Sequence, residues 1–133
     1  MDLLISTVAD MAALETAFAS IHEQQIGTLL VAADPQWPID RIAPLANQFK
    51  VAAIYQVRSN AVAGGLMSYG PNLTDSYRQV GVYTGRVLKG EKPSDMPVWQ
   101  TVRFELVINL KAAKAIGLTV PPTLLARADE VIE

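Results

Sequence analysis

The chain of 133 residues contains no cysteine. Disulfide bonds, thiolate nucleophiles and thiolate metal ligands are therefore excluded. The single histidine, His22, likewise excludes a metal site built from several histidines of one chain. These absences do not determine the cellular compartment, because secreted proteins also occur without disulfides.

The chain also lacks a large net charge and long apolar runs. Eleven basic and thirteen acidic residues give a formal net charge of −2, which attracts neither nucleic acid nor an anionic membrane. No stretch approaches the ~20 apolar residues that cross a bilayer. Residues 1–7 lack the basic start and the cleavage site of a signal peptide. We therefore expect a periplasmic form to carry its signal upstream, in a longer chain.

What the chain does contain is the balance of a packed domain. Half of its residues are hydrophobic and 18% are charged, which is typical of a globular fold. Strand-like apolar runs alternate with segments of helical period, in the order β-α-β-α-β-(short α)-β-α-β-α-α. This alternation predicts an α/β fold with a mostly parallel sheet covered by helices. The predicted strands cover residues 3–7, 28–32, 51–55, 66–69 and 101–109.

Local signals predict where several helices begin. Asp10, Asn72 and Asn109 each precede a helical segment, and Asp and Asn are residue types that cap helix N-termini. Proline suits the first turn of a helix, so Pro121-Pro122 predicts the start of a last one. That helix is expected to carry Leu124, Leu125, Ala128 and Val131.

Apolar spacing predicts which side chains are buried. The run from Thr28 to Ala32 is continuous, as in strands that are covered on both faces. Residues 101–109 alternate instead, which predicts one buried face formed by Val102, Phe104, Leu106 and Ile108. The predicted buried stripe of the helix after Asn72 consists of Leu73, Tyr77, Val80, Val87 and Leu88.

Two segments follow predicted strands at positions where an open α/β sheet binds ligands, beyond the carboxyl ends of its strands. In the first, Asp34 suits a ligand ammonium group, and Trp37 lies close behind it. In the second, residues 64–71, Ser68 and the amides of the next helix start suit a carboxylate, and Tyr69 offers a ring for stacking. The candidate ligand-binding residues are Asp34, Pro35, Gly65, Ser68, Tyr69 and Gly70.

Simpler interpretations of these residues stay open. An Asp-Pro pair after a strand commonly serves only to start a loop or helix, and Tyr69 and Trp37 are equally compatible with packing. The glycines match neither the dinucleotide nor the P-loop pattern, so no cofactor is predicted. Ser68 does not lie in a Gly-x-Ser-x-Gly elbow. Because no nucleophile–base pair stands out, the sequence predicts no catalytic residue and does not indicate an enzyme.

Four segments resemble one family closely and in the right order. They are residues 63–70 (Ala-Gly-Gly-Leu-Met-Ser-Tyr-Gly), residues 74–79 leading to 85–90, residues 104–111 (Phe-Glu-Leu-Val-Ile-Asn-Leu-Lys) and residues 117–132. The family is that of the ABC transporter substrate-binding proteins related to tryptophan and tyrosine uptake. The similarity extends from about Leu14 to the end of the chain.

The resemblance implies a type I periplasmic-binding-protein fold, in which two three-layer α/β lobes close on a ligand between them. This chain then corresponds to the C-terminal part of such a protein. Residues 1–70 are expected to form part of the second lobe, and residues 71–133 the crossover and C-terminal elements of the first lobe and hinge. The implied partners are a small-molecule ligand and an ABC permease, the implied location is the periplasm, and exposed apolar surface makes a dimer an expectation.

Other functions remain compatible with the same fold. The most similar alternative is a ligand-sensing domain of a regulator or receptor, which upstream sequence would distinguish from a transport component. A small α/β enzyme is a further alternative, and it would require a catalytic pair that the sequence does not single out.

Overall fold

A computed structural model describes residues 5, 8, 10–32, 39–100 and 103–133 of the chain. Its helices and strands follow in the order α1 (Met11–Glu23), β1 (Thr28–Val31), α2 (Ile39–Gln48), β2 (Ala52–Tyr55), α3 (Arg58–Val62), β3 (Met67–Pro71), α4 (Leu73–Leu88), β4 (Phe104–Asn109), α5 (Leu110–Ala115), α6 (Pro122–Leu125) and β5 (Glu130–Ile132). A short 3-10 turn, Pro93–Asp95, lies between α4 and β4. The strand predicted for residues 3–7 falls mostly outside the described residues.

The strands form one five-stranded sheet in the order β1-β2-β3-β4-β5. The first three run parallel, β4 runs antiparallel to β3, and β5 runs parallel to β4. The prediction of a mostly parallel sheet is therefore confirmed, with one antiparallel pair that the element order did not indicate.

Helices cover both faces of this sheet. On one face, α1 and α2 pack on the sheet through a core that includes Phe18, Ile42 and Tyr55. On the other face, α5 packs through Ala113 and Ile116 against Leu66. Alternation along β2 explains the two layers, since neighbouring side chains of a strand point to opposite faces. The architecture is thus a three-layer α/β sandwich, as predicted.

The three predicted N-caps are confirmed. The Asp10 carboxylate accepts a hydrogen bond from the backbone N–H of residue 13 at 2.8 Å. The Asn72 and Asn109 side-chain oxygens accept from the third residue of α4 and α5 at 2.8 and 3.0 Å. Such bonds satisfy amides that have no partner within the helix, so these helix starts are determined locally.

Three predictions about individual elements were wrong. Strand β1 is not covered on both faces, because only Val31 is buried and Leu30 is 73% exposed. Strand β4 shows no alternation, since its last three residues are all buried between neighbouring strands and helices while Phe104 is 46% exposed. The last predicted helix ends at Leu125, and the chain then pairs with β4 as β5.

The predicted buried stripe of α4 was also wrong. None of the sixteen residues of this helix is buried. The exposed large apolar side chains of α4 are Leu73, Tyr77, Val80, Val82, Val87 and Leu88, with exposed fractions from 42% to 82%. The spacing that predicted burial is present, but the described part of the chain provides no surface that covers it.

The boundary predicted near residue 70 does not divide the sheet. Strands β3 and β4 lie on either side of it in sequence and pair over five residues, from Met67 opposite Ile108 to Pro71 opposite Phe104. The assignment of either segment to a lobe of a longer protein stays a prediction.

Candidate functional site

The carboxyl ends of β1, β2 and β3 lie along one edge of the sheet, because these strands are parallel neighbours. They end at Val31, Tyr55 and Pro71. The antiparallel strand β4 begins at the same edge, where Phe104 lies opposite Pro71. This is the edge at which open α/β sheets bind ligands, and we refer to it as the carboxyl edge.

An aromatic pair lies at the carboxyl edge. The rings of Tyr69 and Phe104 stack with centroids 5.6 Å apart and an angle of 26° between their planes. Tyr69 is 55% exposed and Phe104 is 46% exposed. Exposed stacked rings offer an apolar surface on which a further planar group gains stacking energy, so this pair is suited to hold part of a small organic ligand.

Polar side chains occupy the same edge. The Arg58 guanidinium donates two hydrogen bonds to the Glu130 carboxylate, both of 2.8 Å. The Asn72 amide donates to the Glu105 carboxylate. These contacts connect the start of α3 to β5 and the start of α4 to β4. These two contacts link neighbouring elements at the carboxyl edge. The charged groups that form them remain partly exposed.

The charge of Arg58 is stabilised by this arrangement. Its pKa is raised first by the hydrogen bonds to Glu130 and then by the charge of that carboxylate, with a smaller contribution from Glu105. The carboxylates of Glu130 and Glu105 thus both stabilise the charged form of this guanidinium.

The structure places the predicted residues of the second segment in different environments. Tyr69 is exposed, as ligand contact requires. Ser68 is 1% exposed, and its hydroxyl has no hydrogen-bond partner among the described residues. The N–H of Gly65 donates to the carbonyl of Asn60 at 2.9 Å, and a Cβ at this glycine would lie only 2.7 Å from the same oxygen.

Gly70 is close to the backbone of the preceding strand-to-helix loop. A Cβ at Gly70 would overlap the carbonyl group of Gln56. The glycine therefore lets β3 approach that loop at the carboxyl edge. Its contact is with the protein's own backbone, and ligand contact through Gly70 stays a prediction.

The first predicted segment, which contains Asp34, Pro35 and Trp37, lies outside the described residues. The chain reaches it directly from β1, whose last residue, Val31, is at the carboxyl edge. The role of Asp34 and Pro35 in ligand binding stays a prediction.

Several side chains at this edge were not identified by sequence reasoning. Alternation placed Phe104 on a buried face, and Arg58 and Glu130 lie 72 positions apart, so no local pattern connects them. Glu105 likewise accepts from Asn72, and Arg103 donates to Asp75 at 3.5 Å, across 33 and 28 positions of the sequence. Only the strand pairing brings these groups together.

Metal binding and membrane spanning find no support in the part of the chain that the structure describes. Across residues 10–32, 39–100 and 103–133 there is no group of three or more acidic or histidine side chains placed to hold a metal ion. No helix in these ranges is both long enough and apolar enough to cross a bilayer.

Comparison with known proteins gives a family match over nearly the whole chain. Residues 2–132 match the family model described as ABC transporter substrate binding protein. A search of curated proteins found no match.

Among the solved structures with a similar fold are proteins of three bacteria. A conserved domain protein of Vibrio cholerae has a TM-score of 0.80 at 27% identity over 90% of this chain. The ABC domain of a Streptococcus pneumoniae protein, solved in complex with L-Trp, has a TM-score of 0.78 at 25% identity over 91%. A ligand-free, open substrate-binding protein with adhesive properties from Clostridium difficile has a TM-score of 0.64 at 21% identity over 92%. In each case the chain spans 41% of the length of the solved protein.

Proposed function

Because the chain belongs to the ABC transporter substrate-binding protein family, we propose that it binds an amino acid or a similarly small organic molecule for an ABC importer. The family and the structural relatives are binding proteins, and their role is recognition without chemical conversion of the ligand. We extend that non-enzymatic role to this chain. The proposed partners are the ligand and an ABC permease, and the proposed location of the complete protein is the periplasm, where importers of this kind collect their ligands.

The stacked pair of Tyr69 and Phe104 is the observation that carries this proposal. Both rings are about half exposed at the carboxyl edge, although burial of such large apolar groups is favourable. A ligand with an apolar or aromatic side chain that packs on Tyr69 recovers this energy. The relative from Streptococcus pneumoniae, which holds L-Trp, supports a ligand of this kind.

The polar ends of an amino acid require separate partners. We propose that the ammonium group is held by Asp34, with Pro35 in the same loop. The carboxylate is assigned to the hydroxyl of Ser68 and to backbone groups near Gly65 and Gly70. The buried Ser68 hydroxyl has no partner among the described residues, so its capacity to donate a hydrogen bond is not used there.

This chain is proposed to supply one side of the site. Type I binding proteins close two lobes on their ligand, and the chain spans 41% of its structural relatives. The remaining contacts are assigned to residues of a first lobe. Affinity of the 133-residue chain alone is therefore expected to be weaker than that of a complete binding protein.

The test is a thermal-shift titration of the 133-residue chain with L-tryptophan, glycine, L-glutamate and small carboxylates. A ligand that binds the native state raises the melting temperature. We expect the largest rise with L-tryptophan, and loss of that rise in Tyr69→Ala. The matched control is Tyr77→Ala, which removes a tyrosine that is 73% exposed on α4, against 55% for Tyr69, and it should keep the response. A chain whose melting temperature responds to none of these compounds contradicts the proposal.

A further inference from the structure

Glu105 is a half-buried carboxylate at the carboxyl edge, and it forms no salt bridge with the residues that the structure describes. The salt bridges among those residues join Arg58 to Glu130, Arg86 to Glu91 and Arg103 to Asp75. One oxygen of Glu105 accepts a hydrogen bond from the neutral Asn72 amide. Arg58 lies within electrostatic reach of Glu105, but its hydrogen bonds go to Glu130. An ionised carboxylate has about four acceptor sites, so Glu105 retains the capacity to bind a cationic donor.

A backbone oxygen lies beside this carboxylate. Gly70 is directly opposite Glu105 in the pairing of β3 with β4, and directly opposed residues project to the same face of a sheet. The position that a Cβ of Gly70 would take is occupied by the carbonyl oxygen of Gln56. Opposed Cβ positions are about 5 Å apart. The Gln56 carbonyl oxygen and the Glu105 side chain are therefore neighbours on one face of the sheet.

These two groups are both hydrogen-bond acceptors, so neither can bond the other. A positively charged donor between them is attracted to both oxygens. A primary ammonium group suits this position, because it has three N–H donors and no acceptor. Its hydrogen bond to a carboxylate is also stronger than one between neutral groups. The chemical group that this pair of acceptors favours is thus a protonated amine.

We propose that the carboxylate of Glu105 and the carbonyl of Gln56 bind the ammonium group of the ligand, next to the acceptor already assigned to Asp34. Glu105 then determines specificity, because it selects ligands that carry a protonated amine over analogues that lack one. This role rests on the proposed function and extends it to a residue whose position the structure describes.

The pair of acceptors and the aromatic pair lie at the ends of the same two strands. Phe104 and Glu105 are consecutive in β4, and Tyr69 and Gly70 are consecutive in β3. Consecutive residues of a strand point to opposite faces, so the rings lie on one side of the strand ends and the acceptors on the other. A ligand that crosses these ends places its apolar part on Tyr69 and its ammonium group at Glu105. The flexible carbon chain between the ring and the ammonium group of an aromatic amino acid suits this path.

The test compares L-tryptophan with indole-3-propionate, which keeps the ring and the carboxylate and lacks the ammonium group. NMR titration of the 133-residue chain gives both dissociation constants, including weak ones. The variant is Glu105→Gln, which removes the charge and keeps an oxygen that can accept from Asn72. We expect L-tryptophan to bind the variant roughly ten- to a hundredfold more weakly, as loss of a charged hydrogen bond predicts. Indole-3-propionate should bind the variant at least as tightly as the wild type.

Glu23→Gln is the matched control, because Glu23 is exposed at the end of α1 and the chain continues from there to the opposite edge of the sheet. It should keep both constants. A ratio of the two constants that is the same in wild type and Glu105→Gln overturns the role of Glu105 and leaves the proposed function standing. Equal weakening of both ligands also overturns that role, since the loss does not then depend on the ammonium group. A wild-type chain that binds neither ligand contradicts the proposed function itself.

Discussion

Tyr55 and Ser68 lie directly opposite each other on the parallel strands β2 and β3. Each is 1% exposed, and neither hydroxyl has a hydrogen-bond partner among the described residues. Buried polar groups are normally paired, because an unpaired one loses its hydrogen bonds to water without replacement. These two unpaired hydroxyls therefore mark the pairing of β2 with β3 as a place where stability is not optimised.

Removal of either hydroxyl should not destabilise the protein. For Tyr55→Phe and for Ser68→Ala we expect a free energy of unfolding between unchanged and about 1 kcal/mol higher, since each substitution removes an unsatisfied group. Urea denaturation measures the change. The control is Asn109→Ala, which removes a buried side chain that bonds the carbonyl of Ala61 and caps α5. It should cost about 2 kcal/mol or more. A comparable loss in Tyr55→Phe would show that its hydroxyl is paired.

Stability should depend on the ionisation of Tyr55 at alkaline pH. Burial raises the pKa of Tyr55 to about 12, above the ordinary value of ~10. Because the folded state favours the neutral phenol, this contribution is fully present below pH ~10 and is lost as the pH rises toward 12. The difference in unfolding free energy between wild type and Tyr55→Phe should therefore change over that interval. A difference that stays constant with pH contradicts the assignment.

Two glycines should respond oppositely to alanine. Gly70→Ala is expected to lower the unfolding free energy by about 1–3 kcal/mol, because its Cβ would overlap the backbone of Gln56. Gly85→Ala, in α4, should raise it by up to about 1 kcal/mol, because its Cβ would meet no atom within 4 Å and alanine favours helix. Chemical denaturation of both variants checks the pair. Equal effects would mean that the close approach at Gly70 is absent in solution.

The ion pair of Arg58 and Glu130 should contribute little to stability. Its side chains are 51% and 38% exposed, and exposed pairs are worth at most about 1 kcal/mol. We expect Arg58→Ala to lower the unfolding free energy by less than that amount, with a smaller effect at high salt. Glu130→Gln serves as the matched control from the other side of the pair. A loss of several kcal/mol would indicate that the pair is enclosed by residues beyond those described.

Features that depend on neighbouring residues in the sequence were predicted well. The caps at Asp10, Asn72 and Asn109 are confirmed, and Leu14, Phe18 and Ile21, which are spaced as i, i+4 and i+7, are buried on one face of α1. A cap requires only a short polar side chain three positions before the amide that it bonds. Hydrophobic period likewise determines which face of a helix is apolar, whatever lies opposite.

Features that depend on distant residues were not predicted. The exposed Tyr69–Phe104 pair joins residues 35 positions apart through the antiparallel pairing of β3 and β4. Strand β5 pairs with β4 across 23 positions, although its residues were predicted as helix. In both cases the partner strand decides the outcome, and a local pattern carries no information about the partner.

The same distinction between local and distant residues applies to the fold as a whole and to the candidate site. The sequence by itself determined the α/β class, the helix starts and the family resemblance, because these depend on local chemistry and on motifs read along the chain. Only the tertiary structure decided that Tyr69 is accessible while Ser68 is buried, since alternate residues of a strand face opposite sides and the helices cover those sides unequally. It also decided that the apolar stripe of α4 is exposed, because burial requires a second surface and spacing along one helix cannot supply it.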